Sequence, residues 1–205
     1  METISLFHSA LLLELQKDYT ASRKPLLTRF QIAEGLSGVK RVNGDELIKK
    51  ATDLFANGMG VKWSPVQLDI FNKIVDSCLP IFYRDEWEEN STRVLAMRGL
   101  LELRQEVLVN MARRNGKTWT VAGACAALWL TVPNISIGVF SVAKRQSALF
   151  MSAAVDKIKG AYALGTHVTA DGFEKITENQ EHYSFYHPKG GKQQLSCYPG
   201  SIKVS

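Results

Sequence analysis

The sequence predicts an α/β fold, and three observations carry that prediction. The run Glu106-Val107-Leu108-Val109-Asn110 has the β-branched, apolar core of a buried strand, and it leads through Gly116-Lys117-Thr118 into a helix-like stretch from Thr118 to Leu130 rich in Ala, Val and Leu. A second run, Ile135 to Phe140, follows as a strand and would close a βαβ unit. Before residue 60 the apolar spacing is helical instead, so the chain divides into a helical region, 1–60, and an α/β region, 61–205.

In the first region Leu6, Phe7, Ala10, Leu11 and Leu13 form one amphipathic segment, and Leu47, Ile48, Ala51, Leu54 and Phe55 form another. Gly44-Asp45 opens the second and Asn57-Gly58 closes it, while Ser22 to Pro25 and Gly35 to Gly38 mark turns. Ser64-Pro65 starts a further helix, with Ser64 as N-cap and Pro65 in the first turn, running through Phe71, Ile74 and Val75 toward Leu79-Pro80. Asp85 to Glu89 reads as a solvated acidic turn before a helix over Thr92 to Leu101. Beyond the second strand, Ala143 to Ile158 is helical, His182 to Tyr186 and Gln194 to Tyr198 are short strands, and Pro199-Gly200-Ser201 reads as a hairpin turn into Ile202 to Val204.

With 205 residues, 45% of them hydrophobic and 22% charged, the chain has the composition of a globular protein with one substantial core. Its net charge of +5 fits a solvated basic surface as well as a nucleic-acid groove. Cys78, Cys125 and Cys197 are odd in number and widely spaced, which indicates neither a disulfide framework nor a zinc site and makes a reducing compartment the expectation. The longest N-terminal apolar run, Ala10 to Leu13, is interrupted by Glu14, so neither a signal peptide nor a membrane span is expected. His8, His167, His182 and His187 form no catalytic pattern along the chain.

The chemistry concentrates in Met111-Ala112-Arg113-Arg114-Asn115-Gly116-Lys117-Thr118. A loop between a strand and a helix directs backbone N–H groups and the positive helix end toward one point, which suits a polyphosphate. There Ala112, Arg113, Arg114, Asn115 and Gly116 supply backbone, Lys117 reaches the β- and γ-phosphates, and the Thr118 hydroxyl is a ligand for Mg²⁺. Met111 stands where the general G-x-x-x-x-G-K-[ST] pattern has its first glycine.

Trp63-Ser64-Pro65-Val66-Gln67, Val109 to Trp119 and Gly138 to Gln146 together resemble the ATPase domain of the large terminase subunit of tailed phages and herpesviruses. That family uses a deviant P-loop that often lacks the first glycine and holds an arginine inside the loop, and Arg-Arg-Asn-Gly-Lys-Thr-Trp is especially similar to the herpesvirus type. The resemblance implies a RecA-like ATPase core, an ATP and Mg²⁺ requirement, and a motor that drives double-stranded viral DNA into a capsid with portal and small-subunit partners. It implies an arginine-finger role for Arg113 beside the catalytic Lys117, and adenine recognition by Gln67, whose carboxamide can both accept and donate. Gln67 reads equally as an ordinary exposed helix residue; other readings of Arg113 are a static phosphate ligand or a side chain that merely faces water. Arg114 suits an ion pair or DNA contact. Ser141, Lys144 and Gln146 match a segment that couples the ATP site to DNA in related motors, and read equally as a helix start with a solvated lysine.

The family's Walker B strand ends in Asp-Glu, but the Asp-Glu pairs here, Asp45-Glu46 and Asp85-Glu86, precede the loop. The expectation is therefore the N-terminal part of an ATPase domain, without the nuclease, that binds ATP weakly and hydrolyses it poorly by itself. A ring oligomer is expected only of a complete protein, in the host nucleus for a herpesvirus type or the bacterial cytoplasm for a phage. Two rival readings are a superfamily-two helicase-like ATPase, and a non-catalytic P-loop chain acting in assembly.

Overall fold

A computed structural model of the chain describes residues 11–12, 43–112, 114–141, 143–165 and 171–199. They form a mixed α/β structure divided into two compact units. Leu11–Leu12 and the described parts of Pro133–Ser152 and Asp171–Ser205 make up one, and those of Val42–Val132 and Ala153–Ala170 the other.

The helical unit begins with α1, Gly44–Asp53, capped by the Asn43 side chain on the Asp45 N–H and continued by a π turn, Leu54–Gly58. Its apolar spacing buries Leu47, Ala51, Leu54 and Phe55. Helix α2, Pro65–Ser77, starts at the Ser64-Pro65 signal and buries Ile70, Phe71, Ile74 and Val75. Cys78 separates it from α3, Leu79–Tyr83, and a 3₁₀ turn, Arg84–Glu86, leads to α4, Trp87–Met97. The acidic patch thus lies in the 3₁₀ turn and the first turn of α4, where Glu88 and Glu89 sit favourably at a positive helix end, so this helix begins before the expected Thr92.

Helix α5, Lys117–Thr131, is the centre of this unit, with α1, the π turn and α2 packed on it. Every residue from Ala122 to Leu130 is buried, which explains why the stretch lacks a polar face. Small side chains let aromatic rings come close to its backbone. The Trp63 ring stacks on Phe55 at 4.3 Å, Phe55 stacks on Phe71 at 4.1 Å, and the Trp63 indole N–H donates to the Phe55 carbonyl. A Cβ at Gly123 would fall 2.7 Å from the Trp63 ring and 3.1 Å from Phe55.

The other unit is a five-stranded mixed sheet in the order β1-β2-β5-β4-β3. Strand β1 is the pair Leu11–Leu12, antiparallel to β2, Ser136–Ser141. Those two leucines are extended and not helical as their spacing suggests, because their backbone groups pair with the β2 edge. Strand β2 is parallel to β5, Lys192–Pro199, with Val139 opposite Cys197. The connection between them contains α6, Lys144–Leu164, and a hairpin of β3, Glu174–Glu178, and β4, His182–Tyr186. Buried Ile137, Val139 and Leu195 give this sheet its apolar face, and the buried Gln193 side chain accepts from the Ile135 N–H at 3.0 Å.

One expected strand is not formed. Glu106 to Asn110 has no ladder partner among the described residues and no regular structure, and Leu108 is 95% exposed. A β-branched apolar composition favours a strand only where a neighbour accepts the backbone hydrogen bonds. The βαβ unit expected over 106–140 is therefore replaced by the parallel pair β2 and β5. Strand β3 was not legible beforehand because its residues are polar and mostly exposed, as suits a sheet edge. The expected N-terminal segment Leu6 to Leu13, apart from Leu11–Leu12, the turns Ser22 to Pro25 and Gly35 to Gly38, and Gly200 to Val204 lie outside the described residues.

Gly123→Val should lower stability by about 1–3 kcal/mol by overpacking against the pinned Trp63 ring, measured as a lower urea midpoint with unchanged slope. Asp45 accepts from Tyr83 and pairs with Arg93 at 3.0 Å, and the Tyr83 hydrogen bond leads the effects that hold its carboxyl below the usual range. A depressed carboxylate stabilises above the unfolded-state value near 3.8 and loses that contribution as pH falls through the folded value. Acid unfolding of Asp45→Asn should accordingly show a shallower loss of stability below about pH 4 than the parent chain.

Candidate functional site

Ser64 has extended backbone angles, φ −75° and ψ 159°, and precedes Pro65 at the start of α2. Its hydroxyl accepts from the Gln67 N–H at 3.4 Å, and Gln67 Oε1 accepts from the Ser64 N–H at 2.9 Å. This reciprocal capping box fixes the Gln67 side chain. Its carboxamide nitrogen is directed at the glycine loop, since a Cβ at Gly116 would lie 2.9 Å from Gln67 Nε2.

The loop itself turns tightly. The Asn115 N–H donates to the Ala112 carbonyl at 3.4 Å, Arg114 has φ 69° and Gly116 has φ 75°. The left-handed conformation costs a residue with a Cβ about 1–2 kcal/mol, so backbone strain is concentrated at Arg114 while Gly116 adopts it freely. Gly116 then serves as N-cap of α5 without a side-chain hydrogen bond. Its carbonyl accepts from the Thr120 N–H at 2.8 Å and from the Thr120 hydroxyl at 3.0 Å. The first N–H groups of a helix have no carbonyl partner within it, and no side chain among the described residues caps them here.

Lys117 is half-buried and donates from Nζ to the Met111 carbonyl at 3.3 Å, closing the loop on itself. Ala112, Arg114, Asn115 and Thr118 are exposed, and Arg113 lies outside the described residues. Ser64, Val66, Gln67, Met111, Arg114, Asn115 and Gly116 line an open cleft of about 410 Å³, within the usual range for small-ligand sites. The fold thus brings together Gln67, Arg114, Asn115 and Gly116, which are far apart or merely adjacent in sequence. Lys117, Thr118 and Ala112 do not line the cleft, although Lys117 reaches the carbonyl of one lining residue.

The contributions of Met111 and Val66 were not foreseen. Met111 stands where the general loop pattern has glycine, yet its carbonyl receives the lysine ammonium; backbone roles leave no signature in residue type. In the sheet unit, Ser141 shares a hydrogen bond with Ser147 and donates to the Ala143 carbonyl at 3.0 Å. Lys144 is held in a 2.6 Å ion pair with Glu181, whose carboxyl it draws below the usual range, so Lys144 is not simply solvated. Gln146 is exposed.

No family model matches the chain, and neither the curated proteins nor the solved structures contain a significant match to it.

Comparing two glycines isolates the contact between Gln67 and the loop. Gly116→Ala meets both a left-handed φ and the Gln67 amide, whereas Gly99→Ala meets a similar φ of 69° in open space. Urea unfolding should show each losing about 1 kcal/mol from backbone strain, with a further loss only at Gly116.

Proposed function

We propose that this chain is the ATP-binding part of a motor ATPase of the large terminase subunit type, with a P-loop related to RecA-like cores, which couples ATP hydrolysis to DNA translocation. The observation that carries the reading is the meeting of the Gln67 carboxamide with Gly116 on one cleft, beside an α5 start that no side chain among the described residues caps. That combination sets an amide suited to a nucleobase edge against donors suited to phosphates.

In this reading the uncapped N–H groups of α5 receive phosphate oxygens, and Lys117 exchanges its 3.3 Å contact with the Met111 carbonyl for the β- and γ-phosphates. The second lone pair on Gln67 Oε1 and its amide N–H bonds address adenine, while the capping box keeps the carboxamide oriented. A glycine at 116 leaves room for the Gln67 amide, which a Cβ would meet, and a backbone without a side chain also suits close phosphate approach. The Thr118 hydroxyl, exposed at the second position of α5, fits one ligand position of Mg²⁺, which when bound neutralises charge on the phosphates. Arg113 supplies positive charge at the leaving phosphate, by the resemblance of its loop to the terminase motif. Double-stranded DNA, a portal and a small subunit are the partners this assignment carries.

Thermal unfolding with and without Mg-ATP tests it. ATP at a hundred times its dissociation constant should stabilise the protein by about 2.7 kcal/mol, and Lys117→Ala should abolish the effect. Gln67→Ala should reduce preference for ATP over GTP. Absence of any shift with the parent chain at millimolar Mg-ATP would overturn the nucleotide reading. DNA binding should weaken steeply between 50 and 200 mM salt if it rests on phosphate contacts.

A further inference from the structure

Lys157 is a buried cation without a carboxylate partner among the described residues. It lies on α6 and is only 4% exposed. Its ammonium sits 2.9 Å from the centre of the Trp119 ring and 5.7 Å from that of Trp63. Desolvation pulls its pKa down to about 8, with Asp156 opposing the shift. The two indoles therefore provide the polar contact that a salt bridge would otherwise supply, through the negative faces of their π systems.

The places of those indoles in the chain give this lysine its significance. Trp119 is in the first turn of α5, directly after Lys117-Thr118, and is 42% exposed, covering the lysine from the solvent side. Trp63 immediately precedes the Ser64–Gln67 capping box and is itself fixed by the Phe55 stack and carbonyl hydrogen bond. One ammonium is thus in contact with both segments that border the cleft, the α5 start and the entry to α2.

We infer that Lys157 is a positioning residue for nucleotide binding, holding Trp119 and Trp63 so that the α5 start and Gln67 keep their mutual placement. This rests on the nucleotide reading above. In this role the lysine acts through the two rings. A neutral side chain of equal length would fill the space and release Trp119, whereas a guanidinium can stack on both indoles.

The experiment is calorimetric Mg-ATP binding to the parent chain, Lys117→Ala, Lys157→Met and Lys157→Arg, with circular dichroism and urea unfolding of each. The expected result is about tenfold weaker binding for Lys157→Met with the fold retained, rescue to within about threefold by Lys157→Arg, and a changed tryptophan emission only in the methionine variant. If Lys157→Met does not fold, Trp119→Leu replaces it, and the same tenfold loss is expected because that exposed ring is the cation's nearest partner. Parent-like binding by the folded variant, or loss of binding that arginine fails to rescue, overturns the inference while leaving the nucleotide reading intact. A parent chain that does not bind Mg-ATP overturns both, as does Lys117→Ala binding as well as the parent, since the inference then loses the nucleotide site it rests on.

Discussion

The close approach of aromatic rings to the backbone of α5 is the constraint on which the helical unit depends. It requires Gly123, because a Cβ there would occupy the space of the Trp63 ring. It also requires the short side chains from Ala122 to Ala127, which leave the helix narrow enough for α1, the π turn and α2 to pack on it. Stacking of Trp63, Phe55 and Phe71 adds about 0.5–1.5 kcal/mol per pair beyond the area buried. The greater consequence is geometric. Once Trp63 is fixed, the next residue, Ser64, is placed, and with it the capping box that aims Gln67 toward Gly116.

Packing and cleft are therefore continuous. The ring stack sets the entry to α2, the left-handed Gly116 sets the start of α5, and the Gln67 amide lies between them. Arg114 holds a conformation that residues with a Cβ seldom adopt, on the same short loop. Such strain persists where the surrounding contacts over-determine the backbone, and here the Asn115–Ala112 and Lys117–Met111 hydrogen bonds close the loop from both sides. The sheet unit follows a separate logic, in which the parallel β2 and β5 pair is filled by Ile137, Val139 and Leu195, and polar β3 ends the ladder at an edge.

Elements with local signals were legible from the residues alone. Ser64-Pro65 announced α2 because a capping hydroxyl and a fixed proline φ act within four residues. The same holds for the ends of the second helical segment, where the helix and its π turn run from Gly44 to Gly58. In the cleft, the Gly116-Lys117-Thr118 signal located the loop and helix start, and Gln67 was singled out by its place in a motif. The contact between Gln67 and Gly116, the lysine bond to the Met111 carbonyl and the covering of Lys157 by Trp119 involve backbone groups or distant side chains that no local pattern records.

The amino-acid sequence by itself determined where α1 and α2 start and that a glycine-containing loop leads into α5, since caps and turn residues act over a few positions. Ile135 to Phe140, His182 to Tyr186 and Gln194 to Tyr198 form strands as their composition predicts, but tertiary structure alone decided between two other runs. Glu106 to Asn110 has the stronger apolar composition, yet polar Glu174–Glu178 is the strand, because β4 supplies a hydrogen-bonding neighbour. It also decided that Lys157 of α6 is buried rather than solvated, since two tryptophans distant in sequence present their ring faces to its charge.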